Sequence, residues 1–488
     1  MKALLLPALA TLIATSLSGA TPLAADAKSG IAAPTIGVVI RAGDAGSKFL
    51  AAEYARTIIH VLGGHERLVV LPRARVLKAE VSDETAPEIG RTLPATHVLL
   101  ATVHVTGEAF VFRGELIEVS SNRKLKTEMI RAALADGGGI AGRISREVRG
   151  ALGLPSLADG ERESRTTTKS SEAWQAYLKG RRALETLTDS SLLEAIHHFE
   201  TAVSTDPKFG IARVASATAH IALGYNFRNP RVHFSQARDH LNLSIPEQSA
   251  LPEAITADVV LKFYHERDWQ GAARGAHLVT GNDPSALETH ACLLHCAQSL
   301  GRHEDAQNET ASAHRAQPGS MAIRAELSCG AYYAGKFGEA EREARAALKV
   351  DPDNPLLYWS LARALTQQGN FDPALAALTT AQTKSGGDWT GILAEKAYVY
   401  GRQDRRADAQ RIIADLRKRE KNEYVDAYLY AMAYAGVGET ADVCRHLAVA
   451  ATNHSTWIPS VAIDPKFAQL RNEPQFRAIV RTLGLSVD

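Results

Sequence analysis

The chain has 488 residues, 45% of them hydrophobic, with 55 Lys and Arg against 54 Asp and Glu for a formal net charge of +1. This length exceeds one compact domain of ordinary size, and the near-neutral balance excludes the global basic field of a nucleic-acid binder. Four cysteines (Cys292, Cys296, Cys329 and Cys444) are too few for a disulfide framework, although one bridge stays open.

Met1-Lys2 leads into an apolar stretch from Ala3 to Leu17, followed by the small-residue sites Ser18-Gly19-Ala20 and Ala25-Asp26-Ala27. This is the pattern of a secretory signal peptide over residues 1–27. Pro7, Thr11, Thr15 and Ser16 interrupt the stretch, and it is short for a membrane span. No later segment reaches the length of a span. The expectation is a soluble periplasmic or secreted protein after cleavage, with no stable membrane span.

After a short linker, residues 36–153 read as a small α/β domain. Ile36–Ile40 and Leu68–Leu71 are compact apolar runs, and Phe49–Leu62 has helical spacing. Glu88–Leu93 is a short helix stopped by Pro94. Three strands follow, His97–Thr106, Ala109–Val119 and Lys124–Leu134, separated by turns at Thr106-Gly107-Glu108 and Ser121-Asn122. Ile140–Leu152 closes the domain as a helix. Residues 154–170 are polar and charged and read as a linker.

From residue 171 to 455 the texture is helical throughout, with a beat of 34 residues. Gly301, Gly335 and Gly369 keep it, as do Ala306, Ala340 and Ala374; Leu293, Leu327 and Leu361; and Pro284, Pro318 and Pro352. Such a period, carried by small residues, marks stacked helical hairpins, each unable to bury its apolar stripe alone. About eight hairpins are expected, with Asp206-Pro207, Asp283-Pro284 and Asp351-Pro352 ending second helices, because the residue before Pro is pushed out of the α region. Residues 456–488 read as a carboxy-terminal cap on the last apolar face.

Ala195, Phe199, Ala202 and Pro207, with the later sets, resemble tetratricopeptide repeats. Trp174, Tyr177, Leu178, Gly180 and Arg181 resemble the opening repeat of a subgroup that follows a TolB amino-terminal-like α/β domain. That subgroup is known from the carboxy-terminal halves of CadC-like regulators and adenylate cyclases. Trp457, Asp464-Pro465-Lys466-Phe467, Leu470-Arg471-Asn472, Pro474, Phe476 and Leu483-Gly484-Leu485 are similar to its tail. The resemblance implies an α/β amino-terminal domain followed by an all-α tetratricopeptide superhelix, an α-solenoid. The cytoplasmic effector of the subgroup is missing, so transcription control and cyclase activity are not carried over.

In such a stack the first helices line the inner curve, and residues one period apart form rows. The rows are Leu261, His295, Cys329, Arg363; His265, Ser299, Tyr333, Gln367; Tyr264, Gln298, Tyr332, Thr366; and Ala257, Ala291, Ala325, Trp359. The partner-binding residues expected from them are Tyr264, His265, His295, Gln298, Tyr332, Tyr333, Trp359, Arg363 and Gln367. Tyr, Trp and Arg are the side chains that most often carry binding energy.

Other motifs weigh less. Gly137-Gly138-Gly139-Ile140-Ala141-Gly142 has the G-x-G-x-x-G spacing, but a linker and repeats follow where a dinucleotide site needs a parallel βαβ unit. Gly43-Asp44-Ala45-Gly46-Ser47-Lys48 lacks the phosphate-loop spacing. His290, Cys292, His295 and Cys296 crowd one helix but offer only part of a tetrahedral set, and His197-His198 reads as surface. No catalytic residue, cofactor or metal is expected. The function expected is an exported, non-enzymatic scaffold holding a protein or peptide in its groove. The alternatives are a free-standing sensor component of a cell-envelope regulatory system and an accessory subunit of an envelope enzyme. The oligomeric state stays open.

Overall fold

The computed structural model describes residues 33–63, 67–71, 76, 79–80, 82–93, 95–154, 168–243, 252–282, 295, 297–316, 321–386 and 389–487. The signal peptide, most of both linkers, and His290, Ala291, Cys292, Leu293, Cys296, Pro284 and Pro318 lie outside these residues.

The amino-terminal part is one five-stranded sheet in the order β2-β1-β3-β4-β5. Strand β1 (Thr35–Ala42) pairs in parallel with β2 (Val69–Val70) and β3 (His97–Thr106). β3, β4 (Ala109–Glu118) and β5 (Arg123–Ala133) form an antiparallel meander. The three expected strands are therefore present, with a register shift at Leu116/Ile117. Central β1 is apolar on consecutive positions because both its faces are covered. Ile36, Val38 and Ile40 pack with Leu50, Tyr54 and Ile58 of α1 (Lys48–Gly63), while Val39 packs with Ile89 of α2 (Ala86–Thr92) on the opposite face. Helix α3 (Ile140–Ala151) joins α1 on the first face.

The helices then run as pairs: α4 (Ser171–Leu184) with α5 (Asp189–Thr205), α6 (Gly210–Asn226) with α7 (Pro230–Asn242), and α8 (Pro252–Leu261) with α9 (Trp269–Asn282). After α10 (His303–Ala316) come α11 (Met321–Tyr333) with α12 (Phe337–Leu348), α13 (Pro355–Gln367) with α14 (Phe371–Lys384), α15 (Thr390–Arg402) with α16 (Arg406–Arg419), and α17 (Ala427–Val437) with α18 (Thr440–Thr452). Helix α19 (Pro474–Thr482) ends the described chain. Helix starts are fixed by side-chain caps: Ser170 accepts from the Ala173 amide, Asn354 from Leu356 and Asp426 from Tyr428. None of the described helices is long and apolar enough to cross a membrane.

The beat seen in the sequence has a backbone cause. Gly301, Gly335 and Gly369 sit at the turn inside a hairpin with φ of 71°, 74° and 81°, the left-handed region that costs glycine least. Arg267 and Asp404 take the same conformation in neighbouring hairpins, so the turn geometry persists where glycine does not. Ala306, Ala340 and Ala374 are buried, as close helix approach requires. Between α15 and α17 the approach is closer still: a Cβ on Gly401 would lie 2.3 Å from the Gly436 backbone.

Candidate functional site

First and second helices of the pairs differ in what they bury. In α14 only a stripe is covered (Ala374, Ala377, Leu378, Ala381), as suits an outer helix. In α13 Leu356, Leu357, Trp359 and every residue from Leu361 to Thr366 are buried, and in α17 every residue from Ala427 to Gly436 is. A helix buried all round has cover on its inner side. That cover is the chain's own tail.

After α18 the chain turns onto the inner face. Trp457 meets Trp359 edge-on with ring centroids 5.5 Å apart, and Tyr428 at 6.4 Å. Asp464 then caps a 3-10 turn, Pro465–Leu470, by accepting from the Lys466 amide at 3.1 Å. Phe467 packs edge-on against Tyr428 at 5.4 Å and near Phe476 of α19. The Asp-Pro start thus makes a rigid, self-capped turn that pushes Lys466 and Phe467 inward.

The charged groups of this turn are matched from four helices. Tyr332 of α11 donates to Asp464 Oδ1 at 3.2 Å, and Tyr428 of α17 donates to Oδ2 at 3.0 Å. Lys466 Nζ donates to the Tyr332 hydroxyl at 3.0 Å and lies 3.3 Å from Glu395 Oε2 of α15. Lys466 is 2% exposed and Glu395 0%. Arg363 of α13 stacks its guanidinium over Tyr332 at 3.8 Å, Trp359 at 4.6 Å and Tyr333 at 5.0 Å. Two carboxylates and two cationic groups are buried together, Lys466 held by ion pairing and Arg363 by stacking on rings, which offsets part of the desolvation cost. Burial, reinforced by Asp464, pushes the Tyr332 and Tyr428 hydroxyls well above their usual range. They stay protonated and serve as donors to Asp464.

The inner-face residues expected from the sequence are found as follows. Tyr332, Trp359, Arg363, Tyr264 and Gln298 are buried, and Tyr333, Gln367, His265 and His295 are partly buried. Tyr332, Trp359 and Arg363 converge on the tail. Burial raises the Tyr333 hydroxyl to about 12, and Ser460 of the tail hydrogen-bonds to it. Residues one period apart touch: Arg363 reaches the Cys329 Sγ at 4.0 Å. Tyr264 lies 3.4 Å from His295, which lies 3.2 Å from Glu326, and Gln367 donates to the Tyr398 hydroxyl at 3.4 Å. His265 is at a seam, its ring 4.8 Å from that of His454. At the same seam the Arg231 amide donates to the Asn453 carbonyl at 3.1 Å and Arg267 donates to the Ala451 carbonyl. The last hairpin therefore returns onto the second and third. The inward side expected to be free is covered in this stretch, because the tail supplies matched charge and aromatic surface. Glu395, Asp464 and Lys466 were not among the expected site residues; the available signal was a lone carboxylate in the apolar run of α15 for Glu395 and the Asp-Pro turn start for Asp464 and Lys466.

A second buried cluster joins the sheet domain to the repeats. Glu53 of α1, 2% exposed, accepts from the Tyr177 hydroxyl at 3.2 Å and from Arg181 at 3.3 Å, and pairs with Arg56 at 3.2 Å. Trp174 stacks beside Tyr54 and Tyr177. The glycine run serves this contact: a Cβ on Gly137 would lie 2.5 Å from the Tyr54 hydroxyl and 2.6 Å from the Trp174 indole nitrogen. Away from both clusters, one group among the described residues (Glu200, His220 and His240) brings potential metal-ligand atoms within 4.8 Å of one another.

Residues 325–388, covering most of α11 through α14, match the tetratricopeptide repeat family. No curated protein matches the chain. Among solved structures, the chain is similar to a tetratricopeptide repeat protein from Parabacteroides merdae at 14% identity and TM-score 0.39, over 53% of this chain and 98% of that one. It is also similar to yeast Tom70 at 15% identity and TM-score 0.41, over 70% of this chain and 75% of that one. The match over 325–388, set in a run of hairpins with the same turn geometry, makes these two hairpins tetratricopeptide repeats.

Proposed function

We propose that the chain is an exported, non-enzymatic scaffold that binds a segment of a partner protein along the inner face of its repeats. In this reading the tail holds that face until the partner replaces it. The observation that supports it most is the seat for Asp464-Pro465-Lys466-Phe467. Tyr332, Arg363, Glu395 and Tyr428 recognise a short capped turn by charge, hydroxyl and ring, which is peptide recognition carried out within one chain. Tetratricopeptide repeats suit such a role because their stacked first helices present a continuous surface. Export rests on the apolar leader before residue 27.

The test places a photo-cross-linking side chain at position 367 in the chain expressed with its own leader, in otherwise native and Lys466→Met backgrounds. Loosening the tail is expected to increase cross-linking to a second protein in the envelope fraction, and adding Tyr333→Ala and Arg363→Ala to abolish it. Cross-links that stay within the tail in every background would remove the groove assignment. Recovery of the chain in the cytoplasm would remove export. A sensor or accessory role in the cell envelope is a second reading. It is favoured by the Glu53 junction, which locks the sheet domain to the first hairpin so that a signal on one is felt by the other.

A further inference from the structure

We propose that Glu200, His220 and His240 form a binding site for a divalent transition cation of the Zn²⁺ type, which pins the first hairpin to the second. The three residues come from three helices: Glu200 from α5, His220 from α6 and His240 from α7. Each offers one ligand atom, and all these atoms lie within 4.8 Å of one another. Ligand atoms around a tetrahedral zinc lie about 3.3 Å apart at bond lengths of about 2.0–2.1 Å. The remaining closure is small, and the exposed Glu200 can supply it by a rotamer change.

The donor set suits the ion. Two imidazoles and one carboxylate form a zinc set that leaves a fourth position for water or a partner's donor. His220 is 4% exposed. The rings are also held in place. His220 stacks between His233 and His240 at centroid distances of 5.5 and 5.6 Å, His233 Nδ1 lies 3.2 Å from His220 Nδ1, and Ser216 Oγ lies 3.2 Å from His240 Nε2. Partners of this kind fix ring orientation in metal sites. Three stacked histidines inside helical repeats have no packing need that an apolar side chain would not meet better. The exposed carboxylate gives the ion a way in.

The site lies in the first two hairpins, on α5, α6 and α7, whereas the tail seat is built from α11, α13, α15 and α17, so it does not depend on the groove reading. The test is a Zn²⁺ titration of the full chain against a chromophoric chelator, with Co²⁺ as a spectroscopic stand-in and thermal melting as a second readout. The native chain is expected to bind one more equivalent than His240→Gln and to melt higher with Zn²⁺ present. Glu200→Gln changes an exposed side chain, so its fold is kept, and it should weaken that equivalent at least 10-fold. If His240→Gln loses its fold, the Glu200→Gln comparison decides alone. Equal stoichiometry and affinity in the native chain and Glu200→Gln would overturn the proposal, as would binding no tighter than millimolar.

Discussion

The two buried charge clusters of this molecule solve different problems. At the tail seat, Lys466 pairs with Glu395 and lies near Asp464, the hydroxyls of Tyr332 and Tyr428 donate to Asp464, and Arg363 stacks on the Tyr332 ring. At the sheet–repeat junction, Glu53 is shared between Arg56 and Arg181, and Glu253 of α8 stands close enough to feel both Arg56 and Glu53. Burial raises Glu253 to about 7. The seat combines ion pairing with ring stacking. The junction carries an acid whose ionisation the fold resists, so its stability responds to pH.

Four experiments sharpen or break this contrast. Cutting the chain before Trp457 has the largest expected effect. It removes the buried side chains of Phe467, Phe476 and Leu483 at about 1.5–3 kcal/mol each, and the melting temperature should fall sharply; an unchanged value would mean that the tail only rests on the repeats. Lys466→Met leaves Glu395 without its cationic partner and should cost about 3–5 kcal/mol in denaturant unfolding. Adding Glu395→Gln should return part of that loss. Glu53→Ala strands two guanidiniums and should cost about 3 kcal/mol. Its readout is domain separation, seen as faster proteolysis near residue 168 with the far-ultraviolet spectrum kept. The smallest effect is at Glu253. A carboxyl whose folded pKa is raised retains its proton in the folded state between the unfolded value, about 4.3, and about 7. Stability is therefore highest below that window and is lost as pH rises through it. Glu253→Gln should stabilise the chain by about 1–2 kcal/mol at pH 8 and hardly at all at pH 4.5. A flat difference across pH would place the sensitivity elsewhere, for example at His454, lowered to about 4 by burial, Arg267 and His265.

What could be read from the sequence was local or periodic. The strands of the meander follow from alternation and turn residues, and the hairpin turns from glycines whose φ is positive. The adjacency of rows followed from the repeat length, as the contact of Arg363 with Cys329 illustrates. The cover over those rows did not. Asp464 and Lys466 meet Tyr332 across 132 and 134 residues, and nothing in a 34-residue period encodes the partner of a segment that lies outside it. Likewise Gly137 carried a nucleotide-like spacing, while its reason is steric, a ring on each side. The His220 group draws one residue from each of three helices at an even but long interval, which matches no zinc-ligand spacing, so no motif announces it.

The seam between α18 and the α7–α9 region has a consequence for modularity. Open solenoids gain or shed units freely, because each unit answers only to its neighbours. Here Asn453 and Ala451 are tied to Arg231 and Arg267, so the arc has a set circumference. Excising one unit would leave these bonds unable to meet, and inserting one would overshoot them. Engineering that shuffles repeats must therefore keep the number of hairpins between Arg231 and Asn453.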